Sequence, residues 1–82
     1  MSTQGEQYAK AVAAELRAER ARQQVTVASL VERTGISKSA VLHYLNAHRI
    51  MPVGALAALS QALGVKASTI AARAEAALEE QS

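Results

Sequence analysis

The fold of this chain is decided by the stretch Thr26-Val-Ala-Ser-Leu-Val-Glu-Arg-Thr-Gly-Ile-Ser-Lys-Ser-Ala-Val-Leu-His-Tyr-Leu-Asn46. Leu30 and Val31 form an apolar pair on a first short helix. Gly35 permits the left-handed backbone that ends this helix, and the Ser37 hydroxyl is suited to cap the next one. The stretch therefore predicts two short helices joined by one tight turn, an arrangement called a helix-turn-helix.

A longer helix is predicted before this stretch. Tyr8, Val12 and Leu16 recur at every fourth position, which predicts a helix over about residues 6–22. Nothing apolar anchors the chain before Tyr8, so we expect residues 1–5 to be disordered.

Two further helices are predicted after it. Pro52 fits the first turn of a fourth helix, and Gly64 ends that helix. Buried positions on the fourth and fifth helices are predicted from the apolar repeat: Leu56, Leu59, Leu63, Ile70, Ala74 and Leu78. The fold class is therefore all-α, a compact five-helix domain that spans residues 1–82.

Composition narrows the class of protein. The 82 residues include no cysteine, which excludes disulfides and thiolate metal sites. No apolar run approaches the roughly 18 residues of a membrane span, and the polar N-terminus lacks the order of a signal peptide. We expect a cytoplasmic protein without membrane contact.

Charge is distributed unevenly along the chain. The net charge is only +2, but no acidic residue occurs between Arg33 and Arg73. A basic middle between acidic ends is a weak footprint for a polyanion. An ordinary solvated charge pattern is the alternative on this evidence.

The second helix of the motif leaves a polar face free. At about 100° per residue, an inward stripe of Val41, Tyr44 and Leu45 places the other side chains toward solvent. A helix of this diameter fits the major groove of DNA, where lysine, serine and histidine can hydrogen-bond base edges and leucine can contact a thymine methyl. The candidate base-reading residues are Lys38, Ser39, Leu42 and His43. Each of two of these residues has an alternative to base reading: Leu42 belongs to the core or to a protein interface, and Ser39 is an ordinary surface residue.

Other polar residues are better placed for phosphates. Helix N-termini attract anions, and basic or amide side chains just beyond the reading helix fix the docking register. The candidate phosphate-binding residues are Thr26, Ser37, Asn46, His48 and Arg49. Ordinary helix capping is the alternative for Thr26 and Ser37, and both roles can coexist.

Metal binding and catalysis are not indicated. His43 and His48 would point about 140° apart on a continuous helix, without cysteine or aspartate nearby. No nucleophile, base and orienting carboxylate come together, and no glycine-rich phosphate loop is present. We expect no metal, no cofactor and no enzymatic activity.

The order of residues from Leu16 to about Leu78 resembles the phage repressor and Cro-type helix-turn-helix family, also called XRE or lambda-repressor-like. The resemblance covers four segments: Leu16-Arg-Ala-Glu-Arg20, Thr26 to Ser37, Lys38 to Asn46, and Leu56 to Val65. Tyr-Leu-Asn and the following Met-Pro-Val are similar to small actinobacterial and actinophage members. The resemblance implies sequence-specific binding to double-stranded DNA and repression by operator occupancy, with Lys38, Ser39, Leu42 and His43 facing bases.

Three positions depart from the family pattern. Val27 stands where the family commonly has a glutamine that binds phosphate. Leu45 stands where the family often has a glutamate, which pairs with an arginine at the position of Arg20. Arg20 is therefore expected to pair with Glu19, Glu32, phosphate or water. Ala47 replaces a glycine, so a different backbone at the exit of the reading helix is expected.

These observations give two functional hypotheses. The first is a transcriptional regulator, a phage or prophage repressor or Cro-like protein, that binds a pseudo-palindromic operator as a homodimer through helix 5 (Ile70, Ala74, Ala77, Leu78) or an exposed Ile50-Met51. The alternative is a protein-binding helical module, such as an antitoxin or adaptor, with secondary DNA binding.

Overall fold

Five α-helices make up the part of the chain that the structure, a computed structural model, describes, which is residues 3–81. This confirms the predicted all-α, five-helix fold. No single helix in this range has the length and apolar composition of a membrane span, and the last two reach it only as a pair bent by 105°. The helices are α1 (Gln4–Gln23), α2 (Val27–Thr34), α3 (Lys38–Leu45), α4 (Val53–Ala62) and α5 (Ala67–Gln81).

Helix α1 begins at Gln4, two residues before the predicted start. The Thr3 hydroxyl accepts a hydrogen bond from the Glu6 backbone N–H at 3.0 Å, which caps the helix. Residues 4 and 5, for which disorder was expected, thus belong to the first turn of α1. Met1 and Ser2 lie outside the described residues.

The turn between α2 and α3 has the predicted local structure. The Thr26 and Ser37 hydroxyls accept backbone N–H groups at 3.0 and 3.2 Å and cap the two helices. Gly35 has a φ of 74°, in the left-handed region that glycine adopts with least strain. Thr26 thus caps the start of α2, Gly35 ends it, and Ser37 caps the start of α3.

Side chains from all five helices form one core. Helix α1 packs along α5, α2 packs on α3 and α4, and α3 also touches α1. The buried apolar cluster contains Val12, Leu16, Leu30, Val41, Leu45, Leu59, Leu63, Ile70 and Ala74. Leu56 packs against this cluster, and Leu78 is half-buried.

Two predicted details of the helices are wrong. Tyr44, placed on the inward stripe of α3, is half-buried and is not among the side chains packed on the core. Tyr44 lies about 80° around the helix from the core-facing direction, and Leu42 lies about as far from that direction on the opposite side. Pro52 is the N-cap of α4 rather than part of its first turn, because its ψ of 151° is extended.

A carboxylate joins α1 to α5. The Glu19 side chain, 9% exposed, accepts hydrogen bonds from Arg22 at 2.7 Å and from Arg73 at 2.8 Å. The Gln23 side-chain amide nitrogen donates one hydrogen bond to the second Glu19 oxygen and another to the Leu63 carbonyl oxygen, each at 2.7 Å. This network links the C-terminal part of α1 to α5 and to the end of α4.

Because of the Glu19 network, we expect the protein to lose stability in acid. Hydrogen bonds from Arg22, Gln23 and Arg73 lower the pKa of Glu19 from 4.5 to about 2. A carboxyl group with a lowered folded-state pKa stabilises the fold above its unfolded-state value, and this stabilisation is lost as the pH falls from about 4.5 toward 2. Chemical denaturation across this range should show a stability decline that Glu19→Gln largely removes. Glu75→Gln, at an exposed α5 carboxylate, should keep the wild-type decline, and equal pH profiles for both variants would contradict the assignment.

Candidate nucleic-acid interface

The outer face of α3 carries the four candidate base-reading residues. Lys38 and Ser39 are exposed, and Leu42 and His43 are half-buried. Within residues 3–81, the polar side chains of this set make no hydrogen bond or ion pair. The face therefore presents a cation, a hydroxyl, an imidazole and an aliphatic side chain, which together can donate, accept and pack.

The opposite face of α3 is firmly held. Val41 is fully buried and Leu45 nearly so. In addition, the Arg17 guanidinium of α1 donates a hydrogen bond to the Leu45 carbonyl oxygen at the C-terminal end of α3. A cation there also offsets the negative end of the helix dipole. The role of Arg17 was not predictable from the sequence, because the spacing of this residue does not indicate which distant carbonyl it reaches.

Within residues 3–81, Arg20 pairs with neither of the two predicted carboxylates, Glu19 and Glu32. Its guanidinium donates to the Val25 carbonyl oxygen at 3.0 Å. Gln24 ends α1 in the left-handed conformation, with a φ of 58°, and this reverses the chain so that the carbonyl comes within reach. The Glu19 carboxylate is already occupied by Arg22 and Arg73.

The predicted phosphate-binding residues form two groups. Thr26 and Ser37 are exposed caps whose hydroxyls each accept a backbone N–H, which leaves the hydroxyl proton free to donate. The other three, Asn46, His48 and Arg49, follow one another after α3 and are exposed. Ser37 thus lies directly before α3 and the second group directly after it, whereas Thr26 lies at the start of α2.

The backbone after α3 turns in the left-handed conformation at Ala47. Its φ is 59°, in the region that glycine adopts with least strain. The left-handed turn folds the chain back, and the His48 N–H donates to the His43 carbonyl oxygen at 2.8 Å. An alanine in this conformation is strained, because its Cβ approaches the following carbonyl oxygen.

The same turn brings two imidazoles together. The His43 and His48 ring centroids are 6.0 Å apart, which overturns the prediction that the rings point away from each other. That prediction assumed a continuous helix, whereas α3 ends at Leu45. Within residues 3–81, no group of three or more metal-binding side chains forms.

Most of the arginines serve the fold. Of the nine basic residues, five arginines bond to protein oxygens, including Arg33 to the Ala62 carbonyl at 2.9 Å and Arg73 to Glu19. The basic middle of the sequence therefore offers fewer unpaired cations to an external anion than its composition suggests. Within the described chain, the cations without a hydrogen bond or ion pair are Lys10, Lys38, Arg49 and Lys66.

The two surfaces expected to form a dimer differ from prediction. On α5, Ile70 and Ala74 are buried in the core of their own chain, so they are not available to a partner. Met51 packs against the core, whereas Ile50 and Val53 are 71% and 84% exposed. Ile50 and Val53 are thus the exposed large apolar side chains of the described residues, and we call them the Ile50 and Val53 patch.

Comparison with known proteins agrees with this geometry. The chain matches the family described as helix-turn-helix domain over residues 11–73, well over half of its length. No curated protein and no solved structure matches it. The matched region contains α2, the turn and α3 in full, and most of α1.

Ala47→Gly should stabilise the protein. Glycine adopts the left-handed backbone without the penalty that alanine carries, so we expect a gain of about 0.5–1 kcal/mol in the free energy of unfolding. Urea denaturation measures this change. As a matched control, Ala57→Gly in the exposed face of α4 should cost about as much. A loss of stability for Ala47→Gly would show that Ala47 is not left-handed in solution.

Proposed function

The chain belongs to the helix-turn-helix domain family, whose members bind DNA, and we propose that it is a sequence-specific regulator of transcription. One observation carries the proposal: the side chains of Lys38, Ser39 and His43 make no hydrogen bond or ion pair within residues 3–81, while the opposite face of α3 is fixed in the core. Members of this family are typically not enzymes. The resemblance to phage repressors and Cro proteins supports a more specific proposal, a phage or prophage repressor that acts by occupying an operator in the bacterial cytoplasm.

Helix α3 reads the major groove in this proposal. Lys38 donates to guanine acceptors, Ser39 and His43 exchange hydrogen bonds with base edges, and Leu42 contacts a thymine methyl group. Fixed rotation of α3 supports this role, because base contacts require a defined orientation of each side chain. Val41 and Leu45 supply that orientation.

Phosphate contacts flank the reading helix. The α2 and α3 caps, Thr26 and Ser37, direct hydroxyls and free backbone N–H groups to the phosphates. Arg49, Asn46 and His48 contact the backbone beyond the end of α3. Such contacts fix the register of docking without selecting a sequence.

A homodimer on a pseudo-palindromic operator follows from the small size of the reading surface. One short helix contacts few bases, and two copies spaced by a helical turn of DNA raise specificity. The Ile50 and Val53 patch is the proposed contact, since both side chains are exposed and apolar. No charge occurs from residue 50 to residue 65, so two copies of this segment meet without charge repulsion.

The reading and positioning roles predict different effects of substitution. On duplexes obtained by in vitro selection, Lys38→Ala and His43→Ala should change the preferred sequence, because they remove contacts to bases. Arg49→Ala should weaken binding to all duplexes alike and lower the salt dependence by the equivalent of about one phosphate. Quantitative binding to selected and random duplexes measures both effects. Equal losses on both kinds of duplex for all three variants would contradict the assignment of base readers.

The same exposed apolar pair favours a second candidate function, a protein-binding module such as an antitoxin or adaptor. In this case Ile50 and Val53, with Leu42, contact a partner protein, and DNA binding is secondary. Salt dependence separates the two functions. DNA binding weakens steeply with salt because each neutralised phosphate releases counterions, whereas an apolar protein interface responds little.

A further inference from the structure

A small cleft lies between α1 and the segment after α3. It has a volume of about 100 Å³ and is open to solvent. Its lining residues are Glu6, Ala9, Lys10, Ala47, Arg49 and Ile50.

Two of the four cations without a hydrogen bond or ion pair line this cleft. Lys10 comes from the exposed face of α1, and Arg49 comes from the segment that follows the reading helix. Neither makes a hydrogen bond or ion pair within residues 3–81, whereas Arg17, on the same helix as Lys10, is bonded to α3. Both side chains are exposed and line the same cleft, so together they attract an anion to it.

We propose that Lys10 is a further phosphate-binding residue, which together with Arg49 holds the DNA backbone beside the C-terminal end of α3. This inference rests on the proposed function and extends the DNA-binding surface from the helix-turn-helix to α1. The guanidinium of Arg49 offers paired donors to phosphate oxygens, and the Lys10 ammonium acts as a point charge.

Glu6 opposes the phosphate at this site. It lines the same cleft and precedes Lys10 by one helical turn, the spacing at which a glutamate and a lysine attract each other. The two side chains are not ion-paired in the structure. Glu6 therefore acts as an internal competitor that reduces the affinity of the cleft for phosphate, and its neutralisation should strengthen DNA binding.

Binding to a labelled duplex as a function of salt tests the proposal. Lys10→Gln should weaken binding several-fold on selected and random duplexes alike, and lower the slope of log affinity against log salt by about 0.9. Glu6→Gln should tighten binding to both duplexes. Lys66→Gln, which removes an unpaired cation at the start of α5, is the matched control and should keep the wild-type slope.

The outcomes separate this inference from the proposed function. Wild-type protein that binds no duplex at low salt would overturn the proposed function itself. Salt-dependent wild-type binding that Lys10→Gln and Lys66→Gln leave equally unchanged would overturn only the role of Lys10. Thermal unfolding checks that each variant is folded, and Lys10→Arg should restore the wild-type slope, since it restores the charge. A Lys10→Arg variant with the Lys10→Gln slope would likewise contradict a charge contact.

Discussion

The burial of Val41 and Leu45 holds a helix that would not persist by itself. Helix α3 has eight residues, and isolated helices shorter than about 12 residues are marginal in water. The Ser37 cap at its start and the Arg17 bond to its last carbonyl satisfy backbone groups that the helix leaves unpaired. The orientation of every side chain on the outer face depends on these contacts, which fix both the axis and the rotation of α3.

A second constraint is the division of labour among the cations. Arginines tie the helices together, because a guanidinium donates several hydrogen bonds in fixed directions to carbonyl and carboxylate oxygens. The Glu19 carboxylate of α1 binds two of these arginines, Arg22 of the same helix and Arg73 of α5. The cations left for an external anion are few, and three of them, Lys10, Lys38 and Arg49, belong to the proposed DNA-binding surface. A modest net charge is therefore compatible with a concentrated binding site.

Local features of the sequence predicted the fold well. Thr26, Gly35 and Ser37 act on neighbouring backbone groups, so their roles follow from a few residues of sequence. Contacts across the fold were not predictable in this way. Glu19 and Arg73 are far apart in sequence, and nothing in the spacing of either residue indicates that they meet.

The exit from α3 shows a different reason for error. The 140° separation assigned to His43 and His48 required a helix that continues through both, but a left-handed residue ends it. Alanine gives no sequence signal for that conformation, since glycine is the residue that usually adopts it. The candidate base-reading face was predictable from periodicity because it lies within the regular part of α3. The cleft next to Lys10 was not, because it depends on where the chain goes after that helix.

The central claim, that the outer face of α3 and the segment after it bind duplex DNA, is tested most directly by NMR. Isotope-labelled protein is titrated with a duplex, and the change in each backbone amide resonance is mapped onto the chain. The account predicts the largest changes in residues 37–49, with smaller ones near Lys10 and little change along α5. Changes confined to residues 50–57 and α5, or no changes at low salt, would contradict it.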